Sequence, residues 1–382
     1  MSRNLPALYL GALLLCGCGG GANVQVNVPG SNGSTGGTNS GGATTLREFI
    51  VIPNGADNTV TVKQVNLTDG TSAPRTTFNS GAPQPFLVKC NPVINSFYVL
   101  HSKSDLLTEF RLDANGNATA IGNIATPAGA TFMTIHPSGR LVFVGGATAR
   151  QIFTYVVAND GSLSKLNQTN ANFLSGNPGL DADFSSSGSF LHVPVQGGVQ
   201  TLAIQNDGSL QNVALNNLGG LISGLDQVLD VDVHPGQTSL QAAVQRAGTD
   251  AIASFAVSNG NLSGTSLTGV AYEVGLGDFS ALGRYYVGES NQPVVHGFQT
   301  VAGTGALTEL ATSPSTSGGV NANFTQVDFT SSYLFSTQST ASNLLVSRSL
   351  NTNDGQFLGV SLDAQNLASP GLCDFFLFRV SI

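Results

Sequence analysis

The chain has 382 residues, only 9% of them charged, and a formal net charge of −8 at pH 7. With only 14 Lys and Arg residues, it is a poor partner for nucleic acid or an anionic membrane surface, and it lacks the basic cluster that a phosphorylated sugar would need. Glycine supplies 47 residues and no convincing helical period recurs, so an all-β chain with many tight turns is expected.

The first eighteen residues predict a lipoprotein signal peptide. Arg3 precedes an apolar run too short to cross a bilayer stably, and Leu15-Cys-Gly-Cys18 resembles a bacterial lipobox. Cys18 is the expected lipidated residue because Gly17 is the small residue wanted before the cut; an ordinary signal peptide cut nearby is the alternative. Since Gly19 replaces the Asp that retains such proteins at the inner membrane, the resemblance implies an exported protein anchored in the outer membrane.

Residues 19–46 predict a flexible linker. They are mostly Gly, Asn, Ser, Thr and Val, and they cannot bury enough apolar surface to fold. A tether of this length reaches roughly 25–30 Å by the square-root rule for flexible chains. Residues 47–382 are expected to form the folded domain.

The folded domain repeats one pattern of about 48 residues seven times. In the clearest copy, 131–145 holds two apolar strands around a His-Pro-Ser-Gly turn, 151–157 is a third strand, and an Asn-Asp-Gly turn at 159–161 leads to a fourth. Four strands per repeat predict a seven-bladed β-propeller with four-stranded blades, because one sheet cannot bury both of its faces alone.

The copies are offset at the two ends of the chain. Phe49–Ile52 aligns with second strands, whereas Leu372–Phe376 is a surplus first strand at the C-terminus. The ring is therefore expected to close when the C-terminal strand pairs into the N-terminal blade, which leaves no open blade edge. The predicted ends of the first strands are Asn91, His136, Ser185, His234, Ser280, Thr330 and Phe376.

The turn motifs resemble those of the seven-bladed lactonase-like propellers, a family that includes bacterial 6-phosphogluconolactonases. The turns that begin at His136 and His234 look like its His-Pro-x-Gly turn, and 159–163 and 206–210 look like its Gly-x-Leu turn. These motifs support the fold, whereas activity is implied by the resemblance alone. Two functions stay open for what is expected to be a monomer: hydrolysis of a lactone without phosphate, or non-catalytic binding of a protein or glycan at the cell envelope.

The candidate catalytic residues lie on the face that carries the longer, variable loops, where sites usually form. We call this the loop face; it holds the connections between second and third strands and those between blades. The turns between first and second strands and between third and fourth strands form the opposite, turn face. Lactone hydrolysis needs a base for water and a partner for the oxyanion. The candidates are His101 or Glu289 as base and Arg150 or Arg246 as oxyanion partner; solvated loop charges are the alternative.

Aspartates recur at one depth near the predicted axis, two residues before the ends of five first strands. A divalent cation between them is one interpretation, and hydrogen bonds to the backbone of neighbouring turns are the other. No other cofactor is expected. These residues are Asp183, Asp232, Asp278, Asp328 and Asp374.

Two cysteines, Cys90 and Cys373, remain after the signal peptide. An exported protein could pair them as a disulfide. Their equal strand parity points both side chains the same way around the ring, which favours two buried free thiols.

Overall fold

The computed structural model describes residues 44–170, 179–185, 187–301, 304–316, 321–337, 345–363, 367 and 370–381, which form seven antiparallel sheets. Among these residues, no helix is long and apolar enough to cross a membrane. The predicted signal peptide, Cys18 and the linker up to residue 43 lie outside the described residues, so the interpretations made for them stay predictions.

Each sheet is one blade of the propeller. Strands of blades 1 to 4 are, in chain order, β1 (Thr44–Asn54), β2 (Thr59–Val65) and β3 (Ser72–Asn79); β4 (Pro85–Cys90), β5 (Ser96–His101), β6 (Leu106–Leu112) and β7 (Ala118–Ala125); β8 (Ala130–Ile135), β9 (Leu141–Gly146), β10 (Gln151–Val157) and β11 (Leu163–Asn170); and β12 (Asp183–Phe184), β13 (Phe190–Val195), β14 (Gly198–Ile204) and β15 (Leu210–Asn216).

Blades 5 to 7 follow the same plan, and blade 6 gains a short fifth strand. Their strands are β16 (Gln227–Val233), β17 (Ser239–Gln245), β18 (Ala251–Ser258) and β19 (Asn261–Gly269); β20 (Val274–Phe279), β21 (Arg284–Glu289), β22 (Val294–Thr300), β23 (Leu307–Glu309) and β24 (Ser315–Thr316); and β25 (Phe324–Val327), β26 (Tyr333–Thr337), β27 (Leu345–Leu350) and β28 (Phe357–Asp363). The last strand, β29 (Asp374–Ser381), belongs to blade 1.

Burial falls from the axis to the rim of each blade. In blade 2 every residue of β5 is buried, whereas the outer strand β7 is half-buried or exposed throughout. Neighbouring blades cover both faces of the inner strands, so these strands are nearly continuous apolar runs. The core is a set of apolar layers between blades, which is why the chain needs the closed ring to bury them.

The predicted closure of the ring is confirmed. Strand β29 pairs antiparallel with β1, with Phe376 opposite Phe49 and Phe375 opposite Ile50, and all four side chains are buried. The pairing runs further than predicted, to Ser381 opposite Thr44. Phe376 is therefore inside a strand, and residues 44–46 of the predicted linker belong to the propeller.

A second predicted strand end is wrong, and with it one aspartate of the predicted ring. Strand β25 ends at Val327 and not near Thr330, so Gln326 occupies the ring position in blade 7. Asp328 lies in the turn that follows, where its Oδ1 accepts the backbone N–H of Tyr333 at 2.7 Å. The sequence register failed here because an Asp suits a turn as well as the ring position.

Cys90 and Cys373 are buried and form no disulfide with each other, as their parity favoured. Cys90 packs between blades 1 and 2, and Cys373 packs between blades 7 and 1. The two side chains thus point the same way around the ring, with the inner strand of blade 1 between them.

Candidate functional site

A cleft of about 440 Å³ opens on the loop face between blades 5 and 6. Its walls are the β17–β18 connection (residues 245–250), the connection between the two blades (270–273) and Asn291 in the β21–β22 connection. All three segments are loop-face connections, as the sequence predicted for a site. The volume lies within the range of roughly 300–1,000 Å³ that small-molecule pockets occupy.

Arg246 forms one wall of the cleft. Its Nε lies 3.3 Å from Oδ2 of the buried Asp226, and its guanidinium side chain is about one third exposed. The backbone N–H of Arg246 donates to Asp250 Oδ1 at 2.9 Å, and Asp250 Oδ2 accepts the N–H of Val274 at 3.0 Å. Asp226 therefore orients the guanidinium, while Asp250 ties its loop to the first strand of blade 6.

Tyr272 lines the cleft and covers a histidine held between two glutamates. The Tyr272 and His296 rings stack with centroids 4.0 Å apart. His296 Nε2 lies 2.9 Å from Glu289 Oε1, and Nδ1 lies 2.9 Å from Glu309 Oε1, so a doubly protonated imidazolium can donate to both carboxylates. Burial acts to raise the pKa of Glu309, but hydrogen bonds from His296 and Ser313 outweigh it and lower the pKa. Burial raises the pKa of Tyr272, and the charges of Glu309 and Glu289 raise it further, so Tyr272 stays a phenol.

The four predicted catalytic residues do not converge. Arg246 lines the cleft, and Glu289 lies behind its Tyr272 wall. Arg150 is exposed on the β9–β10 connection of blade 3. His101 is buried in blade 2, with Nε2 3.0 Å from Thr108 Oγ1, and burial lowers its pKa to about 4. An imidazole buried away from solvent does not meet attacking water, so His101 packs within blade 2 here and its predicted role as base has no support from this position.

The sequence reasoning missed three groups at the cleft. Glu273 is an exposed lining residue whose Oε2 lies 3.3 Å from Ser290 Oγ. Tyr272 and Glu309 are likewise absent from the residues that the sequence singled out. Glu273 could have been predicted, because it is a charged residue in a connection between blades. The contact of Tyr272 with His296 joins two separate segments, and no sequence pattern predicts it.

The aspartates near the axis bind backbone amides, which confirms the second interpretation for three of them. In each, one carboxylate oxygen accepts the N–H of the following residue and the other accepts an N–H of the next blade. The donors in the next blade are Val233 for Asp183 (2.8 Å), Val327 for Asp278 (2.7 Å) and Cys90 for Asp374 (2.7 Å). These carboxylates stabilise the contacts between neighbouring blades.

Blade 5 carries a second aspartate that the sequence analysis overlooked. Asp230 Oδ2 accepts the N–H of Gly277 in blade 6 at 2.7 Å, and Asp232 lies beside it on the same strand. Burial and the nearby Asp181 charge raise the pKa of Asp230 to about 7. Burial raises the pKa of Asp232 well above its usual range, and the charges of Asp230 and other nearby aspartates raise it further.

An ion pair crosses the ring close to these aspartates. Lys89 Nζ of blade 2 lies 2.7 Å from Asp181 Oδ2, immediately before the inner strand of blade 4. Among the described residues, no group of three or more His, Cys, Asp or Glu side chains has the arrangement of a metal site. Backbone contacts account for Asp183, Asp278 and Asp374, and the lysine contact accounts for Asp181. A divalent cation at the axis stays a prediction.

Residues 97–366 match the family described as Lactonase, 7-bladed beta-propeller. The chain belongs to this family. Among solved structures, the periplasmic gluconolactonase PpgL of Pseudomonas aeruginosa is 16% identical, with 87% of this chain and 99% of that chain covered at a TM-score of 0.71. A candidate 6-phosphogluconolactonase of Bacteroides uniformis is 13% identical, with 86% and 99% covered at 0.71. At these identities the likeness shows the lactonase-family fold; a search of curated proteins found no significant match.

Proposed function

We propose that this lactonase-family protein is an exported hydrolase that opens a lactone without a phosphate group. The observation that carries the proposal is the loop-face cleft, in which the Arg246 guanidinium and the Glu273 carboxylate line one cavity. A cation for the developing oxyanion and a carboxylate for water are the two groups that ester hydrolysis requires. The likeness to a gluconolactonase described as periplasmic supports both the reaction and the export.

In the proposed reaction, Glu273 takes a proton from water as the oxygen of that water attacks the lactone carbonyl carbon. Arg246 binds the carbonyl oxygen, which becomes negatively charged in the tetrahedral intermediate. The carbonyl then reforms and the bond to the ring oxygen breaks. Glu273 returns its proton to that oxygen, which yields a hydroxy acid. Asp226 keeps the guanidinium in place through the 3.3 Å contact to Nε.

The charge of the cleft supports a substrate without phosphate. Its lining holds one cationic side chain, Arg246, and two acidic side chains, Asp250 and Glu273. A phosphate dianion would meet net negative charge there, and phosphate sites usually provide several donors or cations. A neutral lactone needs only one cation at its carbonyl.

The test measures hydrolysis of a lactone panel by the purified protein and two cleft variants. Glu273→Gln should lower kcat/KM by about 10²–10⁴-fold through loss of the base, and Arg246→Gln by about 10²–10³-fold through loss of the oxyanion partner. Arg150→Gln is the matched control, because Arg150 is an exposed arginine of the same face outside the cleft. It should keep the parent activity.

Two results would contradict the proposal. The first is equal activity in Arg246→Gln and Arg150→Gln, which would remove the cleft as the active site. The second is the absence of turnover with every lactone tested, which would favour the alternative of a non-catalytic propeller that binds an envelope protein or glycan. Turnover of 6-phosphogluconolactone above that of uncharged lactones would refute only the substrate assignment.

A further inference from the structure

The connection between blades 4 and 5 presents two leucines to solvent on the loop face. In residues 217–226, Leu218 and Ile222 are buried and anchor the segment, whereas Leu221 is 58% exposed and Leu225 is 86% exposed. Leu225 is the most exposed large apolar side chain among the described residues. Two solvated leucines on an anchored connection leave apolar surface that a ligand can cover.

These leucines are adjacent to the Arg246 wall of the cleft. Leu225 directly precedes Asp226, whose carboxylate contacts Arg246 Nε at 3.3 Å. Two backbone hydrogen bonds hold this end of the connection: Asp226 N–H donates to Ser223 O at 3.1 Å, and Gly197 N–H donates to Asp226 O at 2.8 Å. Leu225 is therefore held next to the residue that orients the guanidinium, and Leu221 belongs to the same anchored connection.

Further apolar side chains are exposed on β15, the strand that leads into this connection. Val213 and Leu215 are 43% and 39% exposed. Within the described residues β15 pairs with β14 alone, so its outer edge is open. The chain from β15 to Asp226 therefore exposes four large apolar side chains.

We propose that the site takes a lactone that carries an alkyl or acyl chain, with the ring at Arg246 in the cleft and the chain over Leu225 and Leu221. This inference rests on the proposed function and names its substrate class. In such a substrate, the polar lactone ring would contact the charged Arg246 and the apolar chain would contact the exposed leucines, so one molecule would match both the charged and the apolar surface. Burial of the chain would supply binding energy that an uncharged ring without phosphate does not.

A membrane is the other apolar partner that exposed leucines can meet, and the chain path disfavours it. Strand β1 begins at Thr44, opposite Ser381, at the turn-face end of blade 1. The predicted lipid anchor and tether precede Thr44, so they join the ring on the face opposite to Leu221 and Leu225. A small molecule reaches the loop face without this constraint.

The experiment compares unbranched γ-lactones from γ-butyrolactone to γ-dodecalactone. With the parent protein, kcat/KM should rise by up to about fourfold per methylene, as expected for about 0.8 kcal/mol per buried CH₂. Leu221→Ser/Leu225→Ser should lower the dodecalactone-to-butyrolactone ratio of kcat/KM at least tenfold. Leu282→Ser is the matched control, since Leu282 is 40% exposed but lies in the β20–β21 turn on the turn face; its ratio should equal that of the parent.

Calorimetric binding of the same lactones separates this inference from the proposed function. If no lactone is hydrolysed but affinity rises with chain length and the double variant loses that rise, the chain site stands and the hydrolase fails. If turnover occurs and neither turnover nor affinity depends on chain length, the chain site is refuted and the hydrolase stands. Sedimentation of the parent with phosphatidylethanolamine–phosphatidylglycerol vesicles, lost in the double variant, would assign the leucines to a membrane and overturn the inference.

Discussion

At the scale of single residues, burial near the axis raises the pKa of the inward-facing aspartates, and backbone hydrogen bonds oppose it. Asp183 uses both oxygens to accept N–H groups, one of them from the neighbouring blade. Asp230 accepts one N–H in this way, from Gly277, and Asp232 lies beside it on the strand. Burial is the largest cause in both cases: it raises the pKa of Asp183 well above its usual range and, together with the Asp181 charge, raises that of Asp230 to about 7.

Asp230 should make the stability of the ring depend on pH. Its folded-state pKa of about 7 lies above the ordinary value of 3.8, so the folded state binds a proton that the unfolded state has released. The resulting stabilisation is complete below about pH 4 and is lost as the pH rises through 7. Asp230→Asn cannot ionise, so the fall in Tm between pH 5 and 8 should be a few degrees smaller than in the parent. One kcal/mol shifts Tm by about 2–4 °C in chains of about 150–250 residues and by less in a longer chain such as this one.

Thermal unfolding at several pH values checks this. Asp207→Asn is the control, because Asp207 lies in an exposed turn and hydrogen bonds from Ser209 lower its pKa, which puts its titration below this window. Asp232 and Asp278 also have raised pKa values, so part of the pH dependence should remain in Asp230→Asn. An unchanged pH profile would show that Asp230 is ionised throughout.

At the scale of elements, one strand from the far end of the chain completes the first blade. Strand β29 supplies the inner strand of blade 1, and its Asp374 accepts the N–H of Cys90 in blade 2. Phe375 packs toward blade 7 and Phe376 toward blade 2. A single strand thus contributes to the apolar layers on both sides of blade 1.

Removal of residues 370–382 should abolish cooperative unfolding of the propeller. The deletion opens two apolar layers, and loss of a buried Phe alone typically costs about 3–5 kcal/mol, comparable with the stability of a whole domain. Calorimetry or denaturant unfolding of the truncated chain measures this. A chain that lacks only residues 1–40 is the control, since it retains β1. The parent Tm in the 370–382 deletion would contradict closure by β29.

At the scale of the whole molecule, the two faces of the ring have separate tasks. The chain enters at Thr44 on the turn face, whereas the cleft and the exposed leucines are on the loop face. If the predicted anchor is present, it leaves the cleft facing away from the point of attachment and open to small molecules.

The anchor itself can be tested by a single substitution. Cys18→Ala removes the expected lipidation site, so most of the protein should move from the membrane fraction to the soluble exported fraction. Fractionation with an antibody measures the distribution, and an unchanged Tm shows that the propeller still folds. Cys16→Ala is the matched control and should stay with the membrane. Membrane retention of Cys18→Ala would end the lipoprotein interpretation.

The sequence by itself determined the number of blades, the closure and the face that carries the cleft. Strands and turns are local signals, and their period and the offset at Phe49 and Phe376 follow from counting along the chain. The parity argument for Cys90 and Cys373 was also local, because side chains alternate along any strand. The register failed at Asp328, where the length of a turn decided the position and no pattern marked it, and the last strand runs past its predicted end at Phe376.

Only the tertiary structure decided which charged groups meet. Arg246, Tyr272 and Glu289 come from three separate segments. The stack on His296 links Tyr272 to Glu289, and Tyr272 and Arg246 line the same cleft. His101 and Arg150 occupy loop-face positions of the same kind in sequence. In the fold, His101 is buried in blade 2, and Arg150 lies on blade 3, away from the cleft between blades 5 and 6. The repeat makes loop positions equivalent along the chain, and only packing between particular blades makes them different.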